Sequence, residues 1–381
     1  MKFFHSIFVI LIIIATAFGV NKTIQNLKQD AIQQASENLQ LTRDIRIAQL
    51  NSEVKTIYSE IRFWAESKPV VEGMSNILNG WYELSIDPKA DAKKLYITNN
   101  PLYPNYTADY FNAGDDSLYS YFHEKMHKLL RGLTKVRGYY DVFLIANDGD
   151  ILYSVYKEDD YATNLLTGKY KDTTLSLGFQ EVHESTNLNH VSLFDFIPYA
   201  PSNNVPSSFI QTSIVDNNNK TQGVLAFQLP TESINAILKS IKGKNKNISI
   251  MAIGSNHSLR NQIDDEINKD NIQSTAIDKA LKGEDGVIQH IDSKGNNVIT
   301  AYAPFNFSQN ILGSTNTNTW AIIVKQDRAE ILKPVEEYIN KWLSLLLGLT
   351  LLSLLLAWLF TRGKEDLAIV EEEEENIKDV N

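Results

Sequence analysis

The two most hydrophobic segments of the chain lie close to its two ends. Residues 342–360 run for 19 positions without a charged side chain and are dominated by leucine, which matches the ~20 residues that a helix needs to cross a bilayer. Trp342 and Trp358 lie near the ends of this segment, where aromatic rings favour the membrane interface. The pattern predicts a transmembrane helix over residues 342–360, and Arg362 and Lys364 beyond it favour a cytoplasmic tail.

The other apolar segment, residues 3–20, follows Lys2 and the amino terminus, so its positive flank also faces the cytoplasm. We predict an uncleaved first transmembrane helix here, with residues 21–340 exported between the two spans. The small residues 15–17 resemble a signal-peptidase site, and cleavage there is the alternative. The expected location is the inner (cytoplasmic) membrane, with a periplasmic domain and membrane lipid as one partner.

A long helical pattern follows over residues 21–66. Its clearest apolar positions recur every three or four residues and so share one helix face: Leu50, Val54, Ile57, Ile61 and Trp64. Such a stripe is typical of an amphipathic helix packed on its own domain, and a coiled coil with a second copy of the chain is the alternative. This helix and the two spans together favour a homodimer.

The exported middle then changes to short β-rich runs separated by turn residues. Residues 139–145 and 151–155 flank the turn Asn147-Asp148-Gly149-Asp150, which is a strong hairpin signal. Similar runs follow at 209–215 and 223–228, and a later group covers 248–253, 286–291, 298–303 and 320–324.

A predicted helix over residues 231–241 separates the two groups of strands. We therefore expect an α+β fold with two antiparallel-sheet modules in tandem, residues 67–235 and 236–328. Residues 329–341 would connect the second module to the membrane, and residues 361–381, with the run Glu371–Glu375, would form a solvated or disordered acidic tail.

Charge and composition exclude several classes of function. The chain of 381 residues has a formal net charge of -10, so no nucleic-acid partner is expected. It contains no cysteine, which removes disulfides and thiolate chemistry. We find no phosphate-binding glycine loop, no GxSxG turn and no HExxH helix, so we expect neither a cofactor nor enzymatic activity.

Several separated segments resemble a known family. They are GYYDVFLIANDGDILYSVYKEDDYATNLLTGKYKDTTL at 138–175, LFDFIPYAPSNNVPSSFI at 193–210 and GVLAFQLP at 223–230. With FWAESKPVVEGM, NVITAYAPF and WAIIVKQD, they resemble in the same order the double-Cache sensor domain of bacterial methyl-accepting chemotaxis receptors. The resemblance covers roughly residues 40–330.

The resemblance implies an extracytoplasmic sensor with two PAS-like modules. A small molecule would bind in the membrane-distal module, residues 67–235, and would shift the second transmembrane helix. Members of the family continue into a HAMP module and an output domain, whereas 21 residues follow the second span here. The output is therefore missing, truncated, or supplied by a separate cytoplasmic or membrane partner. A non-signalling external binding module is the alternative function.

Acidic groups among aromatic residues are the best candidates for a ligand pocket. Asp195 and Tyr199 lie among phenylalanines, including Phe209, and could hold an amine or another cation. Asp141 shares a strand face with Tyr139 and Phe143, so its carboxylate needs a partner if it is buried. A solvent-exposed Asp141, or an Asp195 that only caps a turn, is the alternative.

Other candidates are weaker. Tyr153, His123 and Arg137 could contribute to the same pocket, and the second module offers Tyr302 and Asp292. The Arg with a following Trp-Tyr pair that amino-acid-sensing relatives carry is absent, which leaves the ligand class open.

Two further groups of polar residues raise the question of metal binding or catalysis. His123 and His127 are four residues apart and are expected at the surface or a pocket rim, with a metal site as the alternative. The pairs Asp159-Asp160 and Asp264-Asp265 are interpreted as solvated loops.

Overall fold

The fold was analysed in a computed structural model that describes residues 2–229, 231–242, 247–261, 272–308 and 318–378. The helices and strands follow in this order: α1 Lys2–Glu66, α2 Lys68–Leu84, α3 Pro88–Lys93, α4 Leu118–Arg137, β1 Asp141–Ala146, β2 Ile151–Ser154, α5 Thr174–Glu184, β3 Val191–Tyr199, β4 Val205–Val215, β5 Thr221–Leu229, α6 Thr231–Ile237, β6 Ile248–Gly254, α7 Thr275–Leu281, β7 Gly286–Ile291, β8 Asn297–Asn306, β9 Thr319–Asp327 and α8 Arg328–Lys378.

Helix α1 packs along both sheets with the face that its periodicity predicts. Leu50, Val54, Ile57 and Ile61 are buried in the main hydrophobic core, and Trp64 packs against it. Arg43 is also buried and donates a hydrogen bond to the carbonyl of Tyr302 at 2.8 Å. The helix is therefore packed on its own domain, as its amphipathic pattern indicates.

The first sheet has the strand order β2-β1-β5-β4-β3, and every pair is antiparallel. Helices α1, α2 and α4 cover one face, and α5 covers the other. Because both faces are covered, β1 reads as an almost continuous apolar run in which Asp141 is the exception.

The second sheet has the strand order β6-β9-β8-β7 and is also antiparallel. Helix α1 and the start of α8 lie on one side of it, and α7 lies on the other. Strand β9 leads directly into α8, since Asp327 ends the strand and Arg328 begins the helix. The predicted α+β architecture with two antiparallel sheets and a long amino-terminal helix is confirmed.

Two predicted segments differ from the structure, and a third lies outside the described residues. Helix α6 ends at Ile237, four residues before the predicted end. The backbone of α8 is helical through Lys378, so residues 361–378 are not an unstructured tail. The pair Asp264-Asp265 lies outside the described residues.

One apolar helical stretch stands out in the part of the chain whose side chains are described. Within Arg328–Leu356, an 18-residue window reaches a mean hydropathy of 1.8, and none of that window is buried inside the molecule. Its leucines are about half exposed from Leu343 onward. Such a surface fits a lipid environment better than water. Most of the other predicted span, residues 3–20, lies where only the backbone of α1 is described.

Candidate functional site

Three buried or half-buried carboxyl groups meet on the α5 side of the first sheet, and we call them the acidic cluster: Asp141, Glu158 and Asp160. Asp141 begins β1, and the other two lie in the loop that follows β2. Gly138 fixes where β1 starts, because its left-handed backbone (φ 74°) closes helix α4 and turns the chain into the sheet. Asp141 and Asp160 are fully buried.

Asp141 is held by the strand edge next to it. Its Oδ1 accepts hydrogen bonds from the amides of Val142 at 2.6 Å and Val155 at 2.7 Å, and its Oδ2 accepts one from the Ser154 hydroxyl at 2.9 Å. Burial, and then the charges of Asp160 and Glu158, raise the pKa of Asp141 to about 8. The carboxylate is thus buried, and hydroxyl and amide groups are the partners it requires.

Asp160 has one strong partner and one free oxygen. The Tyr199 hydroxyl donates to Oδ2 at 2.5 Å, whereas Oδ1 is buried and has no hydrogen-bond partner among the other described residues. Burial raises the pKa of Asp160 to about 7, partly offset by the hydrogen bond from Tyr199. The expectation that Asp159-Asp160 forms a solvated loop is wrong for Asp160, since only Asp159 is exposed.

Gln228 extends the cluster across the sheet. It pairs with Asp141 on one side and with Phe209 on the other. Its Nε2 donates to the hydroxyls of Ser202 at 3.1 Å and Ser207 at 2.9 Å, while its buried Oε1 has no partner within the described structure. A second buried acceptor therefore lies beside the carboxylates.

Glu158 closes the cluster toward solvent. Its carboxylate accepts hydrogen bonds from the Tyr140 hydroxyl at 2.7 Å and from the Ser202 hydroxyl at 2.6 Å. Burial raises its pKa above the usual range. Ser202 therefore links Glu158 to Gln228 by hydrogen bonds.

Aromatic rings line the same region. The ring centroid of Tyr199 lies 4.8 Å from that of Phe209, and Phe209 lies 6.2 Å from Phe143. Tyr140 stacks on Tyr156 at 5.3 Å. Of the sequence candidates, the structure brings together Asp141, Tyr199 and Phe209. The arrangement has acceptors in excess and aromatic faces, which is the chemistry that holds a cationic group.

A second buried polar group, the histidine cluster, lies on the opposite face of the sheet and consists of His123, His127, Tyr153 and Lys157. His127 contacts the Tyr153 hydroxyl at 2.8 Å and the carbonyl of Ala108 at 2.9 Å. His123 contacts the carbonyl of Phe111 at 2.8 Å, and its Nε2 is buried without a partner in the described structure.

Burial explains the electrostatics of the histidine cluster. It lowers the pKa of His127 to about 3, and it lowers that of His123 well below the usual value, with Lys157 acting in the same direction. It also lowers the pKa of Lys157 to about 7, although Asp141 acts in the opposite direction. The sequence-based expectation that His123 and His127 lie at the surface or at a pocket rim is wrong, because both side chains are fully buried. Among the described residues, no group of three or more His, Asp or Glu side chains is arranged so that it could hold a metal ion.

The remaining candidates lie elsewhere. Asp195 binds Arg260 and the indole of Trp320, so it joins the two sheets and does not share a site with Tyr199. Its expected role as the acid that holds an amine is not supported, because Arg260 already neutralises it. Tyr139 and Arg137 both bond to Glu60 of α1 and secure the end of α4 against that helix.

In the second module, Tyr302 is buried in a small core, and Asp292 forms an ion pair with Lys325. Sequence reasoning missed Glu158, Lys157 and Gln228. Gln228 carries a usable signal, because it continues the strand face of Val224 and Ala226 with a polar side chain.

Known families supply an independent comparison. A family model described as "Cache domain" matches residues 23–335, which include residues 23–66 of α1 and both sheets. The chain belongs to the Cache domain family. The resemblance drawn from the separated sequence segments is thereby confirmed.

The solved structures that resemble this Cache chain have low sequence identity to it. The ligand-binding domain of the Campylobacter jejuni chemoreceptor Tlp3, in complex with L-valine, is 11% identical with a TM-score of 0.45 and covers 80% of this chain and 97% of its own. The corresponding domain of the Pseudomonas aeruginosa amino acid chemoreceptor PctB, with L-arginine, is 13% identical with a TM-score of 0.42, covering 77% of this chain and 96% of its own. That of Pseudomonas fluorescens CtaA, with L-isoleucine, is 12% identical with a TM-score of 0.40, covering 81% and 97%. No curated protein sequence matches this Cache chain.

Proposed function

We propose that this Cache protein is a membrane-anchored extracytoplasmic sensor that binds a small cationic molecule at the acidic cluster of its first module. The observation that carries the proposal is the buried Oδ1 of Asp160, an acceptor without a partner beside two further carboxyl groups. The protein acts by binding a ligand and not by catalysing a reaction.

The unpartnered acceptors of Asp160 and Gln228 favour a ligand with hydrogen-bond donors. A buried acceptor that lacks a hydrogen bond costs about 1–3 kcal/mol, and both Asp160 and Gln228 contain one. An ammonium group has donors but no acceptor, so it would satisfy both oxygens. It would also lower the pKa of Asp141 and Asp160, which burial and then the neighbouring carboxyl groups raise.

The surroundings favour an organic cation over a metal ion. The rings of Tyr199 and Phe209 lie next to the carboxyl groups, and aromatic faces attract alkylammonium groups by about 0.5–2 kcal/mol. Lys157 is a buried cation whose pKa is lowered by burial and raised by the charge of Asp141, and its ammonium donates to the carbonyl of Val155. Its lowered pKa means that it compensates the acidic cluster only in part near neutral pH.

The proposed sensor is held by two transmembrane helices, residues 3–20 and 342–360, with residues 21–340 in the periplasm. A ligand signal would leave the sheets through β9, because Asp327 accepts a hydrogen bond from the amide of Ala329 at 2.8 Å and so caps α8. Pairing of α1 helices would make the receptor a homodimer. A separate cytoplasmic or membrane partner would receive the signal.

The test uses the full chain in lipid nanodiscs and follows thermal unfolding with ethylamine, putrescine or ethanolamine added. A ligand that binds only the folded protein raises the unfolding temperature. We expect at least one amine to do so, and we expect Asp160→Asn to abolish the effect and Tyr199→Phe to weaken it.

Asp159→Asn is the matched control, because it removes the same charge from the exposed neighbour of Asp160. It should respond like the unmodified protein. Failure of all three amines to stabilise a folded protein, or an undiminished response in Asp160→Asn, would contradict the proposal.

A further inference from the structure

A large cavity lies in the second sheet module, away from the acidic cluster. Its volume is about 750 Å³, within the range of about 300–1,000 Å³ that is usual for small-molecule pockets. It opens over the outer face of β6, β9, β8 and β7, and residues at the start of α7 border it.

One end of the cavity is a row of hydrogen-bond donors. Lys325 lies on the central strand β9, and it pairs with Ser249 on β6 and with Thr300 on β8. All three side chains line the cavity. Residues paired across antiparallel strands lie on the same face, with their Cβ atoms about 4.5–5.5 Å apart. An ammonium group is thus flanked on both sides by hydroxyl groups.

The other end of the cavity is apolar. Two residues further along each strand, Met251 pairs with Ile323 on the same face. Ile277 of α7 and Leu259 complete this wall. The cavity therefore presents a polar end and an apolar end about two residues, or roughly 7 Å, apart along the strands.

The charges at the polar end favour an anionic group over a cationic one. Asp292 accepts hydrogen bonds from the amides of Lys294 at 2.9 Å and Asn296 at 3.0 Å, and from Lys325 at 2.9 Å. Burial raises its pKa, but Lys325 and these amides prevail and hold it below the usual range. Both oxygens of Asp292 therefore already accept hydrogen bonds, whereas Lys325 has three donors and one described acceptor.

The other titratable side chains that border the cavity do not reverse this balance. His290 contacts the Thr300 hydroxyl at 2.9 Å, and Asp327 is engaged in capping α8. Lys294 adds a further positive charge at the rim.

We propose that this cavity is a second ligand site, which binds a small carboxylate with an apolar body. The carboxylate lies on the row of Ser249, Lys325 and Thr300, and the apolar body covers Met251 and Ile323. The site lies two residues before Asp327, the cap of α8, so its occupant contacts the strand that leads into the membrane helix.

The test is calorimetric titration of the full chain in nanodiscs with acetate, butyrate and benzoate. Affinity should rise about fourfold for each methylene added between acetate and butyrate, because each buries apolar surface. Lys325→Met should weaken binding by about tenfold or more, since a hydrogen bond to a charged group is lost. Lys325→Arg should keep most of the affinity.

Two further variants make the outcome decisive. Met251→Trp fills the apolar end without a change in charge and should also abolish binding, so it decides the matter if Lys325→Met does not fold. Lys282→Met removes an exposed lysine outside the cavity and should bind like the unmodified protein.

Asp160→Asn should leave carboxylate binding intact, which separates this site from the amine site of the first module. Absence of binding by all three carboxylates, unchanged affinity in both Lys325→Met and Met251→Trp, or loss of binding in Asp160→Asn would each overturn the proposal.

Discussion

Arg260 and Asp195 form a bidentate ion pair between the two sheets. The Nη2 of Arg260 lies 2.8 Å from Oδ2 of Asp195, and its Nε lies 3.0 Å from both carboxylate oxygens. The indole of Trp320 donates to the same carboxylate at 2.9 Å. Because only 4% and 12% of the two charged side chains are exposed, the pair is desolvated and its geometry links the two modules.

Removal of one partner should therefore be costly. We expect Arg260→Met to reduce the free energy of unfolding by about 3–5 kcal/mol, because it leaves Asp195 charged and buried. The double variant Asp195→Asn/Arg260→Met should be less destabilised than Arg260→Met alone, since no unpaired charge remains. Urea unfolding of both variants measures the difference, and equal stability of the two would show that the charge is not buried in solution.

Amine binding at the acidic cluster should strengthen as the pH rises. The folded, ligand-free Asp160 has a pKa of about 7, so below pH 7 it holds a proton that an ammonium ligand must displace. Affinity should increase up to about tenfold per pH unit below 7 and level off above it. Titrations at several pH values check this, and a flat profile would argue that Asp160 does not bind the amine.

The raised pKa of Asp160 should also make the ligand-free protein less stable as the pH rises, whereas amine affinity should increase. Between the ordinary aspartate pKa near 4 and pH 7, folded Asp160 is protonated while the unfolded chain has lost that proton. Stability from this group therefore falls as the pH rises through this window. The free energy of unfolding of the unmodified protein and of Asp160→Asn is measured across this pH range. The difference between the two curves gives the contribution of Asp160 separately from the other titrating groups.

His127 should make the protein sensitive to acid. Its folded pKa of about 3 lies below its unfolded value, so its contribution to stability is present above pH 6.5 and is lost as the pH falls toward 3. Glutamine can replace both hydrogen bonds without titrating. The advantage of the unmodified protein over His127→Gln should shrink between pH 7 and pH 5 in thermal unfolding, and a constant difference would contradict a neutral buried imidazole.

Replacement of two glycines by alanine should change the free energy of unfolding in opposite directions. A Cβ on Gly223 would lie 2.4 Å from the carbonyl oxygen of Ile145, so Gly223→Ala should cost about 1–3 kcal/mol through overpacking. A Cβ on Gly132, in helix α4, would meet nothing within 4 Å. Gly132→Ala should therefore stabilise by about 0.5–1 kcal/mol. Chemical unfolding of both variants measures the two changes in stability. Similar effects would contradict the close packing at Gly223 and the open space at Gly132.

Part of the candidate site could be predicted from the sequence. The alternation of β1 places Asp141 on the face of Phe143, and this periodicity is local. Asp160 could not be found in this way, because it follows two other acidic residues in a loop whose burial depends on strand β3. The partner that decides its environment, Tyr199, lies 39 residues further along the chain.

The sequence by itself determined the apolar helix near the carboxyl terminus, the buried stripe of α1 and the positions of the hairpins. Each of these features depends on a hydrophobic repeat or a turn motif that spans only a few consecutive residues, so it can be recognised from the local sequence. Tertiary structure alone decided that Asp195 binds Arg260, 65 residues away, and that His123 and His127 are buried. A side chain's partners depend on which strands and helices pack together, and this long-range packing leaves no mark in the local pattern.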